Sequence, residues 1–255
     1  MALDKLPLLF ALSVSYYIAI TPPNPPASHE EISKYPLGER TPAPVASLVA
    51  ALKTLLLTFI FCEIIVIVST HYATTGSVFA EMTMTSLVRT SSHDSFHTPS
   101  PATTPIFLAG FFLTLCGACV RWASYRALDP LFTFELSIRD QHKLITTGPY
   151  YDGIFHQKKR PDERVSYFIY MGSLTYIPSI LLCVLGPGSW IYECGWLDLV
   201  SVKIFAVLVT AAQAIFVLFI PSRMDNEDRM MQKEFGQQWD EWAKKVPYKL
   251  VPGIF

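Results

Sequence analysis

Long apolar runs, broken by short polar or proline-rich stretches, set the pattern of this chain. A helix needs about 20 mostly apolar residues to cross the hydrocarbon core, where the backbone finds no hydrogen-bond partner outside itself. Five stretches meet or approach that length: 6–20, 45–68, 105–127, 165–185 and 199–220. The first stops at Thr21-Pro22-Pro23-Asn24-Pro25-Pro26. It also has the length of a signal-peptide core, but Lys5 is offset by Asp4 and prolines stand where a small-residue cleavage site belongs, so a span is expected. The 165–185 run is uncharged and 199–220 carries only Lys203. The second run holds Lys53 and Glu63, each near enough to a span end to snorkel. Beyond the last run, Phe235, Trp239, Trp242 and Val246 recur at i, i+4, i+7 and i+11, which predicts one apolar face on a helix over 222–246. Lys233, Gln237, Asp240, Glu241 and Lys244 fall opposite, as in a helix lying in the membrane interface.

Lys and Arg in the short loops give the direction of threading. Arg126, Arg139, Lys143, Lys158, Lys159, Arg160 and Arg164 crowd the segment after the third run, and six more basic residues follow Ile220. The 186–198 loop has no Lys or Arg and carries Trp190, Tyr192 and Trp196. The last two runs therefore read as a hairpin with both outer ends cytosolic. The 71–104 loop and the amino terminus fall on the lumenal side. The expected fold is all-α: a polytopic integral membrane protein of about five transmembrane helices with a cytosolic carboxy-terminal amphipathic helix. Two parts are expected, amino-terminal spans and linkers over 1–104 and a core over 105–255. The core has a cytosolic loop at 128–164.

Composition sharpens this picture. Of 255 residues, 51% are hydrophobic and 16% charged, against about 25% charged in soluble domains. The 20 basic and 21 acidic residues leave a net charge of −1, which gives no electrostatic case for nucleic acid. The partner the composition calls for is a lipid bilayer. Five cysteines make no disulfide framework.

Most site chemistries fall by elimination. There is no G-x-G-x-x-G, no P-loop and no G-x-S-x-G. Cys116 and Cys119 have C-x-x-C spacing inside an apolar run without a His, and read as two small core residues. His93 and His97 stand in a Ser/Thr-rich stretch with only Asp94 beside them, and read as solvated. No metal site is expected. What remains are two polar stretches flanking the last hairpin. One contains Glu135 and His142-Lys143-Leu144-Ile145-Thr146-Thr147-Gly148-Pro149-Tyr150. The other contains Arg223, Glu227, Phe235-Gly236, Trp239 and Val246-Pro247. Singly, each has an ordinary reading: Arg223 and Glu227 as a surface helix pair, Gly148-Pro149-Tyr150 as a turn.

Together and in this order, they resemble the isoprenylcysteine carboxyl methyltransferases, integral membrane enzymes of the endoplasmic reticulum. The family pattern of a His, an aliphatic two residues on and G-x-Y is matched by His142, Leu144, Gly148 and Tyr150. The pattern of an Arg, a Glu four residues on, F-G, an aromatic and V-P is matched by Arg223, Glu227, Phe235, Gly236, Trp239, Val246 and Pro247. The resemblance covers roughly 105–255. It implies S-adenosyl-L-methionine as cofactor and, as partners, prenylated proteins carrying a carboxy-terminal prenylcysteine, whose carboxylate is methylated. It further implies that Glu135, His142, Lys143, Leu144, Ile145, Tyr150, Tyr170 and Glu227 contact the cofactor, and that Arg223 holds the substrate carboxylate.

The chain departs from the family after G-x-Y, where R-H-P-x-Y-x-G is expected. Tyr170-x-Gly172 fits its end, but the Arg-His-Pro is missing and a mainly polar stretch stands in its place. Two alternatives stay open beside the prenylcysteine reading. A related phospholipid N-methyltransferase needs no carboxylate-binding Arg, and a catalytically inactive membrane scaffold needs no Arg-His-Pro.

Overall fold

Helices account for the architecture, as the apolar runs require. The computed structural model describes residues 2–25, 43–72, 78–89, 101–128 and 165–245. A 3-10 turn, Ala2–Lys5, leads into α1 (Leu6–Ile20). Then come α2 (Ala43–Tyr72), α3 (Val78–Leu87), α4 (Pro105–Leu128) and α5 (Val165–Leu185). The short α6 (Trp190–Glu193) and a 3-10 turn, Trp196–Asp198, precede α7 (Val200–Phe235) and α8 (Gln237–Lys245). The protein is an all-α polytopic membrane protein. Five segments of the described residues are long and apolar enough to cross a bilayer.

The closest helix pair is α4 with α5. Lipid tails are as apolar as leucine, so intramembrane helices associate by close packing, and small residues let backbones approach. Gly110 and Gly117, seven residues apart, lie on one face of α4. A β-carbon on Gly110 would come 2.8 Å from the Ser179 carbonyl oxygen, and one on Gly117 would come 2.8 Å from that of Gly172. Between them, the buried Thr114 and Ser179 hydroxyls are joined by a 2.9 Å hydrogen bond.

Around this pair, α1 and α2 complete an apolar core of Leu9, Leu12, Tyr16, Leu56, Ile60, Phe107, Phe111 and Ile180. The first run is thus a packed helix of the bundle. Arg121 of α4 reaches to the end of α1, donating from Nε to the Ala19 carbonyl at 2.6 Å. The Tyr125 hydroxyl donates to the same carbonyl at 2.8 Å. The last carbonyls of a helix lack partners within it, and here a neighbouring helix supplies them.

At the opposite end, the reading of Glu63 as a snorkelling residue is corrected. Glu63 is only 3% exposed. Its Oε1 lies 2.5 Å from Nζ of Lys5, itself fully buried, and its Oε2 accepts from the Trp190 backbone N–H at 3.2 Å. Lys5 also donates to the Gly188 carbonyl at 2.8 Å and sits over the Phe107 ring. The carboxylate stays inside because a cation and a backbone donor both reach it there. Lys53, by contrast, is partly exposed, its ammonium 5.3 Å from the centre of the Tyr17 ring.

The 71–104 loop is also corrected: it contains α3, whose Leu87 carbonyl accepts from the indole N–H groups of both Trp190 and Trp196 at 2.8 Å. The chain before α4 joins the same end, with the Ala102 N–H donating to Gly188 at 3.0 Å and the Thr104 hydroxyl to Pro187 at 2.8 Å. Segments that the Lys/Arg count assigns to one side therefore meet at one end of the bundle.

The tail is a third correction. A helix over 222–246, separate from the last span, is not what forms: α7 runs unbroken through Pro221 to Phe235. The break comes at Gly236, whose φ of 51° with ψ of −122° is open to glycine and strained for any L side chain. Phe235 and Trp239 thus belong to different helices, and the amphipathic helix of the tail is the shorter α8. Val246 lies outside the described residues.

Lys5→Ala is expected to strand a buried carboxylate and to cost about 3–5 kcal/mol, read as a lowered thermal midpoint in detergent. Lys5→Ala/Glu63→Gln is expected to recover part of that loss, because the charge is gone while an oxygen still accepts from Trp190. Gly117→Val, which forces α4 off α5, is expected to abolish the monodisperse peak in gel filtration. Leu113→Val on the outward face of α4 is expected to keep it.

Candidate functional site

The polar groups that the sequence singles out and the structure describes meet where the start of α5 faces the outer part of α7. Tyr170 lies in the second turn of α5 and is buried, 7% exposed. Two residues on, Gly172 points to the opposite side of the helix, toward α4. A β-carbon there would come 2.6 Å from Cγ of Arg121 and 2.9 Å from the Gly117 carbonyl oxygen. The Tyr-x-Gly spacing thus has a local meaning: the glycine admits α4 and the tyrosine reaches α7.

On α7, Arg223 and Glu227 are one turn apart and lie about a quarter exposed, 28% and 25% by side chain. The Tyr170 hydroxyl donates to Oε1 of Glu227 in a short hydrogen bond. Arg223 donates from Nε to the Tyr170 oxygen at 3.1 Å and lies 3.4 Å from Oε1 of Glu227. Ile220 and Met224 of α7 pack with Tyr170 and Leu174 of α5 beneath these polar atoms. A guanidinium, a carboxylate and a phenol therefore share one cluster on an apolar floor. Arg223 matches a bound carboxylate in geometry, and Glu227 offers an opposite charge to a bound cation.

Three of the nine expected site residues, Tyr170, Arg223 and Glu227, are brought together. Glu135, His142, Lys143, Leu144, Ile145 and Tyr150 lie outside the described residues. The structure adds Arg121, which the sequence reading does not single out. It is 3% exposed, bonds the Ser173 hydroxyl and Tyr125, and lies 5.4 Å from the Tyr176 ring centre. Its signal is a tyrosine one turn on, at Tyr125, inside an otherwise apolar run.

The cysteine pair is a further correction. Cys116 and Cys119 are exposed on the outer face of α4, not buried in the core, because Gly117 and Ala118 take the inward positions. All five cysteines are free thiols. Among the described residues, no group of three or more His, Cys, Asp or Glu side chains is placed to hold a metal. Compared with protein-family models, with curated proteins and with solved structures, the chain matches none.

Just past the fourth span, burial pushes the Cys194 thiol up to about 12, with the Glu63 and Glu193 carboxylates adding to the effect. The thiolate is the reactive form. A maleimide at pH 8 is therefore expected to spare Cys194 while the protein is folded. Cys194 and the buried Cys183 are expected to react only after denaturation, as peptide mass mapping would read out.

Proposed function

We propose that this protein is a membrane methyltransferase of the endoplasmic reticulum. It methylates the carboxy-terminal prenylcysteine carboxylate of prenylated proteins, with S-adenosyl-L-methionine as cofactor. The observation that carries this reading is the meeting of Arg223, Glu227 and Tyr170 from two membrane-spanning helices. All three are residues that the resemblance implies for the site.

The chemistry suits the residues. A carboxylate is already ionised at pH 7, so its methylation needs no general base. The task is to hold the carboxylate oxygen in line and keep water away, which is positioning work. Arg223 binds the substrate carboxylate, and its planar fork fixes the direction of the attacking oxygen. Glu227 holds the cofactor through its positive charge, and its partial exposure leaves it within reach of a ligand. The cofactor, when bound, supplies a methyl group on a cationic sulfur. A site at the end of apolar helices also keeps the prenyl chain of the substrate in lipid while its carboxylate reaches Arg223. A phospholipid amine would gain nothing from that arginine.

The test is transfer of labelled methyl from S-adenosylmethionine to a small farnesylcysteine analogue, in membranes carrying the full chain. Base-labile label is expected with the wild-type chain, reduced at least about a hundredfold by Glu227→Ala or Arg223→Ala. Arg223→Lys is expected not to restore it, since an ammonium does not reproduce the two-point fork. Label on phosphatidylethanolamine instead would favour the lipid reading. No label on any acceptor, with the protein present in the membrane, would leave the scaffold reading.

A further inference from the structure

The Arg223–Glu227 pair has an unusual feature for residues one turn apart on a helix. Their direct contact is the long one, 3.4 Å, at the edge of what counts as a hydrogen bond, whereas both make shorter bonds to Tyr170. A phenol has one proton to give and lone pairs to receive. Here the proton goes to Glu227 and the oxygen receives from Nε of Arg223, so the tyrosine oxygen is the hub of the cluster.

The hub belongs to a different and more firmly held helix than the charges do. Tyr170 sits on α5, which is locked to α4 at Gly172 within a turn of the phenol. The charges sit on α7, which rises about 54 Å over its 36 residues, nearly twice the thickness of a hydrocarbon core. Along that length few residues are buried: Val209, Gln213, Ile220, Met224 and Met230. Side chains on such a helix take their position from whatever anchors it nearby. Among the described residues, Tyr170 is such an anchor for Arg223 and Glu227, with Ile220 and Met224 packed alongside.

We infer that Tyr170 is a positioning residue: its hydroxyl sets the plane of the Arg223 guanidinium and the direction of the Glu227 carboxylate relative to each other, and so aligns the substrate-holding and cofactor-holding charges. This rests on the proposed methyl transfer and replaces the direct cofactor contact that the resemblance implies for Tyr170. Without the hydroxyl, Arg223 loses the acceptor at its Nε and Glu227 loses the donor that orients it, so the two are no longer referred to one atom. Both ligands still bind, but out of line. Misplacement of about 1 Å costs on the order of a hundredfold in rate when the reaction depends on alignment.

The experiment is steady-state methyl transfer by purified wild-type and Tyr170→Phe protein, with farnesylcysteine analogue and S-adenosylmethionine varied in turn. Tyr170→Phe is expected to lower kcat about 10- to 100-fold, with both KM values within about threefold and an unchanged gel-filtration profile. A loss confined to the KM for S-adenosylmethionine would make Tyr170 a direct cofactor contact and overturn the inference. Unchanged kinetics would overturn it, as would failure of Tyr170→Phe to purify as a folded protein, which would make the hydroxyl a fold determinant. If the wild-type protein transfers no methyl, the proposed function fails, and a thermal-unfolding cycle of Tyr170→Phe, Glu227→Gln and the double variant judges the hub by itself. The double variant is then expected to lose less than the sum of the singles, and additive losses would overturn the hub.

Discussion

Where Gly117 of α4 meets Gly172 of α5, two helix backbones approach more closely than any side chain would permit. Within the membrane no hydrophobic effect drives helices together, so this contact has to be made by fit. Its consequences spread in both directions. Toward α1, the closeness brings Arg121 to the end of that helix, where its guanidinium and the Tyr125 hydroxyl satisfy the Ala19 carbonyl. Toward α7, it holds the first turns of α5 steady and leaves Tyr170 facing outward from the pair. The candidate site thus adjoins the most closely packed helix pair of the bundle, although its charged members belong to the least buried span.

The two ion pairs described above lie at opposite ends of the bundle. Lys5 and Glu63 lie at one end, shut away from solvent and joined to the backbone of the 186–198 segment. Arg223 and Glu227 lie at the other, partly open. Burial decides what each pair does. A fully enclosed ion pair is costly to break and has no outlet for binding, so it fixes geometry. A partly open pair held by a third group keeps its charges oriented and within reach of a ligand.

Much of this fold was legible in the sequence because length and hydropathy are local properties. The limits of α1 and α5 coincide with the apolar runs at 6–20 and 165–185. What escaped depends on partners far along the chain. Glu63 looked like a snorkelling residue because only its distance to the span end was visible; its partners are Lys5 and Trp190, the latter 127 positions away. Cys116 and Cys119 looked like core because an apolar run does not reveal which face meets a neighbour. The tail was misread because the aromatic spacing ignored Gly236, whose positive φ ends α7 between Phe235 and Trp239. At the candidate site, Arg223, Glu227 and Tyr170 were named through motif order, while their hydrogen-bonded arrangement came only from the crossing of α5 and α7.

The enclosed pair also bears on how the chain is made. Glu63 enters the membrane with Lys5 already synthesised, but the Trp190 N–H that completes its coordination is 127 residues further on. At the ribosome's pace of about 5–20 residues per second, that interval lasts about 6–25 s. Throughout it, the lysine is the carboxylate's one finished partner among those the mature bundle provides, and Gly188, which fixes the lysine in turn, has not yet emerged. Of the two groups that meet Glu63 in the bundle, the amino-terminal turn is thus the one made first, and the closed end is complete only with the 186–193 segment.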